Sequence, residues 1–320
     1  MTRLLAAEVG FDVLGWRPHP EVWVVVAALV GLGMYAVRVV GPKVVPGGAP
    51  IVTRRHKVCF ALGVAVVWVA ADWPTHDVGE QYLYAVHMVQ HLLLTFVAPP
   101  LFLLATPTWL ARLVVGDGWF GGRVLRTLVA PVVAGVLFNG AIVLTHWPVL
   151  VDLAVEQGAV HYLLHLMLVG AAVLMWMPVC GPIPEYRLSP PGQMVYLFLM
   201  SIIPTVPAAW LTFAEGVVYE AYDRPDRLLG ISVTDDQQMA GFIMKLLGGG
   251  FLWGIIIFLF FRWAGEQERE ERATRHVVTT RPRPPVDEAA EVATATEAEL
   301  LTWDEVEGEL ERLGPGPKEG

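Results

Sequence analysis

Two histidine pairs have the spacing best suited to chemistry. His87-Met-Val-Gln-His91 and His161-Tyr-Leu-Leu-His165 are both i, i+4 pairs, so on a helix each pair shares one face. Neutral imidazole is a common metal ligand, and a metal is the simplest single reason to gather several. His146, in Thr145-His-Trp-Pro148, makes a fifth. The bland reading of a lone histidine at a helix end is an interfacial residue with a wet ring. That reading fits His19 and His76 better than the two pairs. Imidazole alone suits zinc, copper, iron or nickel, whereas thioether from Met88, Met239 or Met244 would favour Cu(I). Each of these methionines is more often packing than ligation.

The carboxylates near these positions are Asp72, Asp77 and Asp236. Asp236 lies in Thr234-Asp-Asp-Gln-Gln238. There it serves either as an acidic helix start or as a partner that orients an imidazole. The secondary positions for a metal site are therefore His76, Asp72, Asp236 and Met239.

These residues must be held by membrane helices. Of 320 residues 55% are hydrophobic and only 17% charged, against roughly 25% charged in soluble proteins. Mean hydropathy is +0.52. Two cysteines exclude a disulfide scaffold. Seven apolar stretches approach the length of about 20 residues that a bilayer requires. They lie near 21–40, 58–74, 82–105, 125–146, 159–179, 193–214 and 238–262. The expected fold is an all-α integral membrane protein of seven transmembrane helices. The third stretch contains Pro99-Pro100, which should kink it or end its regular part. The first stretch reads as a retained helix and not as a signal peptide.

Lys and Arg alternate between the connecting segments. Arg38, Lys43, Arg54, Arg55 and Lys57, then Arg112, Arg123 and Arg126, then Arg187 and Arg262 all fall on one side. The positive-inside rule makes that side cytoplasmic, with the N-terminus outside. Seven of nine histidines (His19, His76, His87, His91, His146, His161 and His165) then map to the outer side. His76 is expected in the short loop between stretches two and three. Cys59 and Cys180 map to the opposite ends, which leaves the outer cluster without a thiolate. Lys245, about two turns into the last stretch, needs a partner, a route for its amine to the interface, or a Schiff base.

The net charge of −9 is local. Residues 264–320 hold 7 Lys/Arg against 15 Asp/Glu. The chain divides into a membrane domain, 1–263, and an acidic cytoplasmic tail, 264–320. Residues 264–292 read as largely disordered. Residues 296–313 carry an apolar stripe at helical steps. It could dock a cytoplasmic partner or lie on the membrane body. Nothing points to nucleic acid; lipid is the obligate surroundings.

The ordered set of motifs resembles the CtaG family of membrane assembly factors for caa-type cytochrome c oxidase. It comprises His87-Met-Val-Gln-His91, Ala98-Pro-Pro100, Thr106-Pro107, Thr145-His-Trp-Pro148, His161 with His165, Trp176-Met-Pro-Val-Cys-Gly-Pro182, and Asp236-Gln-Gln-Met-Ala-Gly-Phe-Ile-Met244. The match spans roughly residues 70–262. The resemblance implies a bacterial plasma-membrane protein that helps build the oxidase, with oxidase subunits as partners. It also implies a role in copper delivery or copper-centre maturation. Lys245 departs from the family pattern, which has an aromatic or apolar residue there.

The leading expectation is thus a copper-binding assembly factor and not an enzyme. His87, His91, His161 and His165 would be ligands, with His146 joining them or guarding the entry. A haem-binding electron carrier, with one imidazole from each of two facing helices, is the second reading. An intramembrane zinc hydrolase is the third, although the Glu of the HExxH motif is missing. A rhodopsin-like photoreceptor, suggested by Lys245, is the fourth.

Overall fold

The computed structural model describes residues 15–116, 120–225 and 228–280. Every regular element among them is helical. Six helices are long and apolar enough to cross a membrane, or seven if one bent pair counts as a single span. In chain order the elements are α1, Pro20–Val44; α2, Arg54–Ala71; and α3, Thr75–Gln81. Next come α4, Tyr84–Ala105; α5, Thr108–Val115; α6, Pro131–Thr145; and α7, Pro148–Glu156. The last are α8, Gly158–Cys180; α9, Pro190–Thr212; and α10, Val233–Arg272.

Local sequence explains the interruptions. The fourth apolar stretch is the bent pair, Gly122–Leu128 followed by α6, with a 60° angle between them. Pro131 opens α6 and leaves Ala130 in an extended conformation (φ −58°, ψ 132°). A proline disfavours the helical region for the residue before it, so one straight helix cannot form. The second stretch ends in a similar way: α2 stops at Ala71, Asp72 is extended, and α3 begins after Pro74. His76 therefore lies on a helix, not in the loop the sequence suggests.

Pro99-Pro100 does not break α4. A π-helical turn over Leu93–Val97 precedes it, and helix resumes at Ala98. Pro99 has no N–H, so the carbonyl four residues back, on Thr95, lacks its helical donor. Trp176 Nε1 from α8 donates to that carbonyl at 3.0 Å. A further π-turn, Met244–Gly248, lies in α10.

The core forms where α4 and α8 meet α6, α9 and α10. Tyr84, Met88, Phe96, Phe138, Leu168, Met175, Trp176, Leu197, Leu211 and Leu252 are buried there. The apolar windows of α4 and α8 are each 44% buried, against 11% for α1. The centre is therefore the α4–α8 pair, and α1 is peripheral. α9 and α10 approach so closely that a Cβ on Gly241 would stand 2.6 Å from Ala208 O and from Thr212 Oγ1. Elsewhere the spans present Val, Leu, Ile and Phe outward, as lipid contact requires.

Contacts divide the chain into Met1–Trp263 and Ala264–Gly320. In the second unit, helical turns continue to Thr280, so its first part is helical and not irregular. Extending a formed helix needs no new nucleus, and Arg272 bonds Glu268 one turn back. The apolar stripe over 296–313 lies outside the described residues.

Candidate metal centre

The helices alternate in direction, which brings seven imidazoles to one end of the bundle. His19 precedes α1, and His76 lies on α3. His87 and His91 occupy the first turns of α4, His146 follows α6, and His161 and His165 occupy the first turns of α8. Arg54, Arg55 and Lys57 begin α2 at its other end.

The seven rings form one unbroken chain. Centroid distances are 4.8 Å for His19–His76, 5.9 Å for His76–His161 and 4.2 Å for His161–His165. They are 5.6 Å for His87–His165, 4.3 Å for His87–His91, 4.8 Å for His91–His165 and 6.3 Å for His91–His146. Within the chain, His87, His91 and His165 have ligand atoms within 4.8 Å of one another. His161, whose ring stands beside His165 and 6.0 Å from His87, also forms a second group with His76 and Glu80.

The inner trio has the features of a metal site. His91 Nε2 and His165 Nε2 are 3.0 Å apart, so one proton or one cation must lie between two lone pairs. Metal–nitrogen bonds of about 2.0–2.1 Å at a tetrahedral centre need roughly 3.3 Å between nitrogens. Exchanging the proton for an ion thus opens the pair by a few tenths of an ångström. His87 Nδ1, His91 Nδ1 and His146 Nε2 are buried without a hydrogen-bond partner. An unpaired buried polar atom costs about 1–3 kcal/mol, which favours a ligand there.

His146 is set for that role. Its Nδ1 lies 2.7 Å from Ile142 O and donates to it, which leaves Nε2 as a bare lone pair. Tyr219 Oη bonds the His146 carbonyl at 3.0 Å, and Tyr84 stacks on His87.

His19 differs. Its ring nitrogens meet Glu21 at 3.0 Å and Asp77 at 2.9 Å. Burial works against its charge, but the two carboxylates together raise its pKa above the ordinary value. With both nitrogens occupied, it is an ion-pair residue and not a ligand.

Two cavities of about 30 Å³ flank the trio. One is lined by His87, His91, His161, His165 and Tyr222. The other is lined by Met88, His91, His146, Met244 and Lys245. Each has room for an ion or a water, and neither for a porphyrin. Met88 and Met244 thus stand beside the imidazoles, whereas Met239 is 44% exposed.

The secondary carboxylates have structural duties. Asp72 accepts from Trp23 Nε1 at 3.0 Å and from the Trp73 amide at 2.9 Å, tying α1 to the end of α2. Asp236 accepts the amides of Tyr84 and Ala85 at 2.7 and 3.0 Å, capping the free N–H groups that open α4. Gln237 Oε1 accepts from Val218 and Tyr219, and its Nε2 returns a bond to Tyr219 O. Lys245 Nζ donates to Thr205 Oγ1 at 2.6 Å, where α9 is interrupted by the turns at Ser201–Pro204.

Glu80 and Gln90 are the site-region residues that motif reading misses. Glu80 contacts His76 and His161, and its spacing from His76 is i, i+4. That signal appears only once Thr75–Gln81 is known to be helical. Gln90, on α4 between His87 and His91, contacts His76 Nδ1 at 3.2 Å.

No curated protein and no solved structure matched the chain. A family model described as cytochrome c oxidase caa3 assembly factor (Caa3_CtaG) matches residues 21–266. That stretch holds every helix from α1 to the membrane part of α10 and all of the clustered rings except His19. The chain therefore belongs to the caa3 cytochrome c oxidase assembly factor family.

Proposed function

We propose that this protein binds copper at the His87–His91–His165 trio and hands it to a cytochrome c oxidase subunit during assembly. The observation that carries this reading is the 3.0 Å approach of His91 Nε2 to His165 Nε2, with buried unpartnered ring nitrogens on His87 and His146 at the same end of the bundle. Imidazole binds copper in either oxidation state, and the thioethers of Met88 and Met244 beside the trio favour Cu(I). His146, with its lone pair free, is the fourth donor or the first acceptor on the exit route. The role is that of a carrier and not of an enzyme.

The alternation of basic segments supports an outward-facing histidine end, in a membrane we take to be the bacterial plasma membrane. Family membership supports oxidase subunits as the recipients.

Metal analysis of purified full-length protein tests this. Wild type should retain copper, and the His87→Ala/His91→Ala double variant should lose the copper held by the trio. Copper content unchanged in that variant would overturn the ligand assignment. A Soret band in the wild type would replace copper with haem.

A further inference from the structure

We propose that His76, Glu80 and His161 form a second metal position, separate from the trio, that takes a divalent cation such as Zn(II) or Cu(II). Their ligand atoms lie within 4.8 Å of one another. Glu80 Oε1 is 2.5 Å from His161 Nε2, and Glu80 Oε2 is 3.3 Å from His76 Nε2. A carboxylate already bridges two imidazoles that come from different helices.

The donor set separates this position from the trio chemically. Two imidazoles and a carboxylate make a borderline-to-hard set that suits divalent ions and leaves coordination positions open. The carboxylate also offsets one of the two charges. The trio has no charged donor, so a divalent ion there keeps its full charge in a buried place. The cost of burying an ion rises steeply with its charge, and the anionic position is the better host for a 2+ ion.

Gln90 holds the His76 ring in place. It is 1% exposed, and its side-chain nitrogen faces His76 Nδ1 at 3.2 Å, which points the other ring nitrogen, Nε2, at Glu80.

The two positions adjoin without sharing a donor. His161 and His165 are one turn apart on α8, about 6 Å along the axis, with ring centroids 4.2 Å apart. The second position joins α3 to α8, and through Asp77 and His19 it reaches the start of α1. It does not depend on which metal the trio carries.

The test is a titration of the full-length protein in detergent with Zn(II) and, separately, with Cu(I), with bound metal counted after desalting. Wild type should hold one Zn(II) at the second position. Glu80→Gln and His76→Ala should lose it while still binding Cu(I) at the trio, and the retained Cu(I) reports that the fold is intact. His87→Ala/His91→Ala should keep Zn(II) and lose the Cu(I) of the trio. No Zn(II) in wild type, Zn(II) retained in Glu80→Gln, or Zn(II) lost from His87→Ala/His91→Ala would overturn the second position. Loss of Cu(I) together with Zn(II) in Glu80→Gln and in His76→Ala would show a single merged site and overturn it equally. Cu(I) retained in full by His87→Ala/His91→Ala would instead defeat the trio.

Discussion

Asp236 accepts the backbone amide of Tyr84 at 2.7 Å, across 152 residues of sequence. A carboxylate at the start of α10 therefore finishes the start of α4, the helix that carries His87 and His91. The contact is buried and charge-assisted, and such bonds contribute about 1.5–3 kcal/mol each. Asp236→Ala should lower stability by roughly 2–3 kcal/mol, read as a fall in thermal denaturation temperature in detergent. Asp236→Asn keeps one acceptor and should fall between.

Gly79 sets the distance between α3 and α4. A Cβ there would stand 3.1 Å from both Cα and N of His87, so backbone must give way. Gly79→Ala should cost about 1–3 kcal/mol through overpacking. It lies next to Glu80 and against His87, so metal affinity should fall as well. Isothermal titration of wild type and variant checks this.

Trp176 replaces the donor that Pro99 withholds from Thr95 O. Trp176→Phe keeps an aromatic ring but leaves that buried carbonyl unpaired, at about 1–3 kcal/mol. Thermal unfolding should show the loss. Restoring a residue with an N–H at position 99 should recover part of it in the double variant.

His146→Ala should weaken copper binding by about 10–100-fold without abolishing it, the range for groups that support a metal site from its edge. Ile142 and Thr145 remain in place, so the fold should be unaffected. Competition against a chelator of known affinity measures the difference. An unchanged constant would remove His146 from the site.

The membrane helices were legible because apolar stretches near 20 residues have few other uses. The two histidine pairs were legible because i, i+4 spacing on a helix needs no tertiary knowledge. Glu80 was not. Thr75-His-Asp-Val-Gly-Glu-Gln81 is polar, follows a proline and has no apolar period, so local rules read it as a loop. It is helical because Gly79 allows close packing on α4 and Asp77 holds His19, and both relationships are long-range. The assignment of His161 to one group and His165 to another was equally hidden. They share a face, and only the positions of α3 and α4 divide them. The π-turns left no trace in composition either.

Lys245 has a consequence for the lipid around the protein. Its amine sits on the outward face of α10, about 10 Å along the helix from Gln238, and bonds Thr205 where α9 is interrupted. Hydrocarbon does not tolerate an ammonium uncovered; headgroups, water or a thinned leaflet must come down to meet it. Polar cover is therefore required along the α9–α10 seam, wherever that seam meets lipid. The cavity lined by His91, His146 and Met244 has that same lysine in its wall. Whatever covers the amine thus borders the space beside those side chains.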